Sequence, residues 1–161
     1  MILIESILAG IWATFYMDFF AGILAKRKLI YPFVTAEEMG RWFVYLIKGK
    51  IVYKDIHKTK PVKNEKSWYY FSHYFIGVFL AGVFFLLTSY SGFISENPLS
   101  ALVFGILTII FPWFWLLPSI GLGFIAKKSN EQFRIIKTNL INHTNFGIGL
   151  FLWAILFHDY L

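Results

Sequence analysis

Cysteine is absent from the 161 residues, which removes disulfides, thiolate metal sites and a cysteine nucleophile and leaves the redox compartment undetermined. Charge is scarce: Asp, Glu, Lys and Arg make up 15% of the chain, against 58% hydrophobic and 21% aromatic residues. A soluble domain of this size has no use for so much apolar surface. Several enzyme signatures are missing too. No nucleotide-binding glycine loop, helical zinc-protease motif or serine-centred elbow occurs.

What is present describes a membrane protein. Mean hydropathy is +0.62, and nineteen Phe with six Trp suit a lipid-facing surface flanked by aromatic belts. Four windows, about 3–25, 68–90, 99–126 and 138–157, reach the roughly 20 residues a spanning helix needs. The third carries Pro112 and Pro118, which predict a kink, and Gly121 and Gly123, which predict close helix approach. Gly92, Asn97 and Pro98 lie in a short link that makes the second and third spans antiparallel neighbours.

Basic residues are confined to two connections. Eleven of the fifteen, among them Lys26, Arg27, Lys28 and Arg41, lie between spans one and two; Lys127, Lys128, Arg134 and Lys137 lie between spans three and four. By the positive-inside rule both connections are cytoplasmic and both termini lie outside. The first span lacks a basic segment before it and reads as an uncleaved anchor.

The long connection, 26–67, has organisation of its own. Thr35 followed by Glu38 forms a capping-box pattern, and Met39, Trp42, Phe43 and Leu46 recur at helical spacing. Glu37 can pair with Arg41 four residues on, and Gly49 is a stop signal. An amphipathic helix over about 36–48, lying against the headgroups, is the expectation. Seven lysines from Lys48 to Lys66 follow and suit an anionic leaflet. No nucleic-acid recognition module appears.

Three ionisable residues interrupt the apolar spans: Asp18, His73 and His143. Such groups are costly in a bilayer and are candidate functional sites. At about 1.5 Å per residue, all three lie roughly 8 to 11 Å inside the cytoplasmic boundary. His73 and Gly77, like His143 and Gly147, share a His-x-x-x-Gly spacing that puts both residues on one helix face. The chain therefore reads as two related helix pairs. Two imidazoles and a carboxylate suit a divalent transition metal, and paired histidines suit haem. A titrating carboxylate with a histidine relay suits proton-coupled transport. A purely structural role, each imidazole bonded across helices, is the fourth reading. Asn142 and Asn145 flank His143 as orienting partners. Glu5, His57, His158 and Asp159 read as solvated boundary or loop residues.

The stretch Ala13 to Asp18, Gly40-Arg41-Trp42, His73 to Gly77, Pro118 to Phe124 and His143 with Phe146 to Leu150 together resemble the bacterial membrane proteins grouped as domain-of-unknown-function family 2938. The resemblance runs over nearly the whole chain. It implies a four-span inner-membrane protein with no assigned activity, and implies that Asp18, Arg41, His73, Pro118 and His143 occupy family motif positions. Leu117 departs from the polar residue expected before the proline, which counts against a ligand from span three.

The expectation is thus all-α: an integral membrane four-helix bundle with an amphipathic interfacial helix, in a bacterial cytoplasmic membrane. Asp18, His73, His143 and Asn145 build a polar pocket near the cytoplasmic side, with Arg41 over its mouth, that binds a small solute or ion. A small metal- or haem-binding membrane enzyme and a structural subunit, in a homo-oligomer or with a membrane partner, stay open.

Overall fold

Helices form along the apolar runs and end where local chemistry stops them. The computed structural model describes residues 2–91 and 97–157, the side chains of 89–91 excepted. Gly92, Glu96, His158 and Asp159 lie outside the described residues. In order come α1 (Ile2–Lys26), α2 (Ala36–Ile47), a 3-10 turn at Ile56–Lys58, α3 (Glu65–Ser91) and α4 (Leu99–Leu107). A π-helical stretch Pro112–Leu116, the single turn α5 (Leu117–Ser119), a 3-10 turn Phe124–Ala126 and α6 (Gln132–Leu156) follow. No strand occurs among the described residues.

Three stretches, Ile2–Lys26, Glu65–Thr88 and Leu99–Ser119, are long and apolar enough to cross a membrane. Only 28 to 33% of each apolar window is buried within the molecule, so most of these side chains, Phe15, Phe19, Phe75, Phe79 and Phe114 among them, face outward. That is the surface lipid requires rather than water. α6, like α1, is 25 residues long, but Asn139, Asn142, His143 and Asn145 break its apolar run, and it is not among the three. It also begins at Gln132, ahead of the predicted 138, because Arg134 and Lys137 lower hydropathy without opposing helix formation.

The third predicted span, 99–126, is cut short. Pro118 lacks an N–H and its ring crowds the carbonyl four residues back, and the chain widens so that Leu117 N–H reaches the Pro112 carbonyl. The chain turns after Ser119. Gly121 and Gly123, expected at a helix interface, serve the backbone instead: their φ angles are +100° and +73°. Gly121 also lies directly against the Lys54 backbone.

Close contacts set the helix pairs. A Cβ on Gly10 would collide with the backbone of Gly77 and Val78, and one on Gly105 would collide with Gly147, so α1 packs on α3 and α4 on α6 at small-residue crossings. α1 also packs on α6, where Gly149 meets Ala13 and its carbonyl accepts from Trp12 Nε1 at 3.1 Å. Ala9, Ala13, Leu80, Ala81, Phe84, Phe85, Ala101, Phe146, Leu150 and Trp153 form one apolar core, away from the basic connections.

A second core lies at the basic end, built from Trp42, Tyr53, Ile56, Leu117, Ile120, Ala126 and Ile135. The capping box starts α2: Thr35 Oγ1 accepts from Glu38 N–H at 3.2 Å, and Glu38 Oε2 accepts from Thr35 N–H at 2.8 Å. The helix is then docked on the protein rather than laid only on headgroups, with Gly40, Arg41, Trp42 and Val44 buried. Trp42 Nε1 donates to Ser119 Oγ at 2.8 Å. The lysine-rich stretch is tied down as well, because Tyr53 N–H and Ile56 N–H donate to the Ser119 and Ile120 carbonyls at 2.7 and 3.2 Å.

Candidate functional site

Between the two apolar cores lies a polar level. Asp18 continues the α1 face of Gly10 and Thr14, four residues apart each time, and that face meets α3. His73 Nε2 and Asp18 Oδ1 are 2.9 Å apart, with side chains 26% and 30% exposed. Tyr69, one turn back on α3, stacks on the imidazole at 5.1 Å between ring centroids and 17° between planes. Gly77 supplies the room that the Thr14 side chain occupies.

The second histidine has a partner of its own. His143 Nδ1 lies 2.7 Å from Thr108 Oγ1, and the Thr108 hydroxyl also bonds the Gly105 carbonyl. A hydroxyl has one hydrogen; spent on that carbonyl, it leaves Thr108 to accept from Nδ1–H. Thr108 was not singled out in the sequence, although its three-residue spacing from Gly105 is a readable sign.

The two histidine–glycine units are built alike. In each, the glycine meets the backbone or a small side chain of an antiparallel helix, and the histidine one turn nearer the basic end bonds a polar residue of that same helix. Counting from the Ala13–Gly149 contact, Asp18 is about 7.5 Å and His143 about 9 Å toward the basic end, so both occupy nearly one level. They face different neighbours there: Asp18 faces α3, and His143 faces α4.

A match to the family described as "Protein of unknown function (DUF2938)" covers residues 7–157. The chain belongs to that family. No curated protein and no solved structure matches it.

In this DUF2938 protein the expected three-ligand metal set is not assembled. Among the described residues no group of three His, Cys, Asp or Glu could hold a metal ion. The reason is the helix faces, since Thr108, at the C-cap of α4, holds the His143 ring while Asp18 is turned toward α3. Haem ligation by both histidines meets a similar obstacle, because His73 Nε2 is engaged by Asp18.

Asn145 does not orient an imidazole; Thr108 does that. Asn145 Nδ2, Asn142 Oδ1 and Thr14 Oγ1 are buried without a hydrogen-bond partner among the described residues. Each such atom carries a desolvation cost of about 1–3 kcal/mol unless something else binds it.

Arg41 is engaged by partners outside the three intramembrane residues. Its guanidinium forks onto Glu65, Nε to Oε1 at 2.7 Å and Nη2 to Oε2 at 3.1 Å, and Nη1 donates to the Thr59 carbonyl at 2.7 Å. Glu65 lies two turns before His73, so this pair clamps α2 onto the start of α3. The hydrogen bond to Glu65 raises the Arg41 pKa and keeps it charged. The predicted Glu37–Arg41 pair is replaced by Glu37–Lys66 at 3.1 Å. His57 is half exposed but bonds Glu38 at 2.6 Å, and Glu5, expected to be solvated, is 6% exposed.

Proposed function

We propose that this protein is a four-span inner-membrane protein that binds a small solute or ion at the polar level and exchanges protons there through Asp18 and His73. α6 counts as the fourth span on this reading, because it packs along α1 and α4 at full spanning length. The basic end is cytoplasmic and the termini are outside, by the positive-inside rule.

The observation that carries the proposal is the Asp18–His73 pair at 2.9 Å inside two apolar helices. A lone carboxylate in such a place would be very costly, whereas a carboxylate and an imidazole sharing one proton are neutral as a pair. A cation or a protonated amine at the carboxylate replaces the shared proton as counter-charge, and that proton is released. Asp18 and Asn142 Oδ1 supply acceptors near this level, and Asn145 Nδ2 a donor. The carboxylate favours a cation or a hydrogen-bond-donating solute.

The test is proton release from detergent-solubilised protein in weakly buffered solution, on addition of Na⁺, Mn²⁺ or a small primary amine in turn. Saturable release approaching one proton per chain with one of these probes, lost in Asp18→Asn and His73→Gln, is expected. Absence of release with all three, or the same release from Asp18→Asn, refutes the reading. The His143–Thr108 bond beside a glycine crossing favours a second role for that histidine, as a latch between α4 and α6. In that case His143→Ala lowers thermal stability and leaves proton release unchanged.

A further inference from the structure

The end of α1 carries a lysine where helix chemistry favours glycine. Leu29 N–H bonds the Leu24 carbonyl and Lys28 N–H bonds the Ala25 carbonyl, the paired bonds of a Schellman motif, whose left-handed position is usually glycine. Lys28 occupies it with φ +58°. A cation at a helix C-terminus suits the helix dipole, but that attraction does not require the left-handed conformation.

Lys28 lines a small recess together with Leu29, Ile30, Tyr31, Arg134 and Lys137. Arg134 from the first turn of α6 lies over the Tyr31 ring at 4.3 Å, and Tyr31 N–H donates to Thr138 Oγ1 at 2.7 Å, which fastens this segment to α6. Three cationic side chains therefore converge from two elements, and no carboxylate lines the recess. Glu131 takes Arg134 Nη1 at 3.1 Å, and no other ion pair is made by these three among the described residues.

We propose that this recess binds a phosphate group. The guanidinium fork matches two phosphate oxygens, and the two ammonium groups supply charge without directional demand. An anionic phospholipid is the source its position favours. The recess sits where a spanning helix ends, and Leu29 and Phe133 beside it are exposed, Phe133 by 78%, which suits adjacent acyl chains. Free phosphate offers the same chemistry.

Native mass spectrometry of the full chain from nanodiscs of mixed phosphatidylglycerol and phosphatidylcholine tests this. One phosphatidylglycerol retained in preference to phosphatidylcholine is expected, with the preference falling about fivefold per lysine removed in Lys28→Gly and Lys137→Gln. Lys28→Gly relieves the backbone rather than straining it, so loss there is not misfolding. Lys63→Gln, at an exposed lysine, should leave the preference intact. Displacement of the lipid by millimolar inorganic phosphate identifies the soluble source of the same chemistry, and its failure identifies the lipid. An unchanged preference in the Lys28→Gly/Lys137→Gln double variant, or an equal loss in Lys63→Gln, overturns the proposal.

Discussion

Replacing Glu65 by Gln keeps the side-chain shape and removes the charge that faces Arg41. Both side chains are nearly buried, 9% exposed for Arg41 and 10% for Glu65, so water screens the pair little. In the variant the guanidinium keeps the Thr59 carbonyl and loses its anionic fork. Breaking a buried pair from one side costs about 3–5 kcal/mol, because the remaining charge stays desolvated. Arg41→Met with Glu65→Leu removes both charges at similar volume and should cost far less, within about 1–2 kcal/mol of the parent. The assay is chemical denaturation in mild detergent, run as a double-mutant cycle, with the proton-release measurement alongside. With Arg41→Met and Glu65→Leu as the single variants, each costing about 3–5 kcal/mol against about 1–2 for the pair, the expected coupling energy is at least about 4 kcal/mol, with proton release unchanged in the double variant. A Glu65→Gln loss below about 1 kcal/mol would mean a solvent-screened pair, and loss of proton release from the stable double variant would return Arg41 to the pocket. Either outcome refutes the clamp.

Two further outcomes follow from other parts of the fold. Burial raises the Glu38 pKa, but the Thr35 N–H and His57 outweigh it and hold the carboxyl below its ordinary value of 4.5; the stability it contributes is therefore present above that pH and lost as pH falls through the lower folded value. The protection of α2 amides, taken relative to their intrinsic exchange rate, should fall on acidification, this dependence should vanish in Glu38→Gln, and Thr35→Ala should cost about 1 kcal/mol at neutral pH; a pH-independent protection of α2 would contradict the assignment. At the α4–α6 crossing, Gly147→Leu forces the backbones apart and should cost at least about 1–3 kcal/mol, with separation of Thr108 from His143; a thermal midpoint equal to the parent's would show that the crossing is not close.

Much of this was readable along the chain, for local reasons. Thr35 and Glu38 are three residues apart, so their capping box depends on one turn of backbone. The α1 and α3 boundaries fall within a few residues of the apolar runs that predict them. The His-x-x-x-Gly spacing marked two places where a helix neighbour comes close. Partners were not readable. Arg41 and Glu65 are separated by 24 residues and Trp42 and Ser119 by 77, and no periodicity within one helix records a contact across that distance. Along the chain Glu65 is one more charge in a basic connection; the fold places it beside Gly40 and Arg41.

The sequence by itself determined helix content, the confinement of positive charge to one end, and which ionisable residues interrupt the apolar spans. These depend on side-chain transfer energies and short-range backbone chemistry. Tertiary structure alone decided that Asp18 faces His73 while His143 faces Thr108, and that the basic connection folds into a second core. A helix face acquires a partner only when packing sets its rotation and register, and in this chain the glycine crossings at Gly10–Gly77 and Gly105–Gly147 set both.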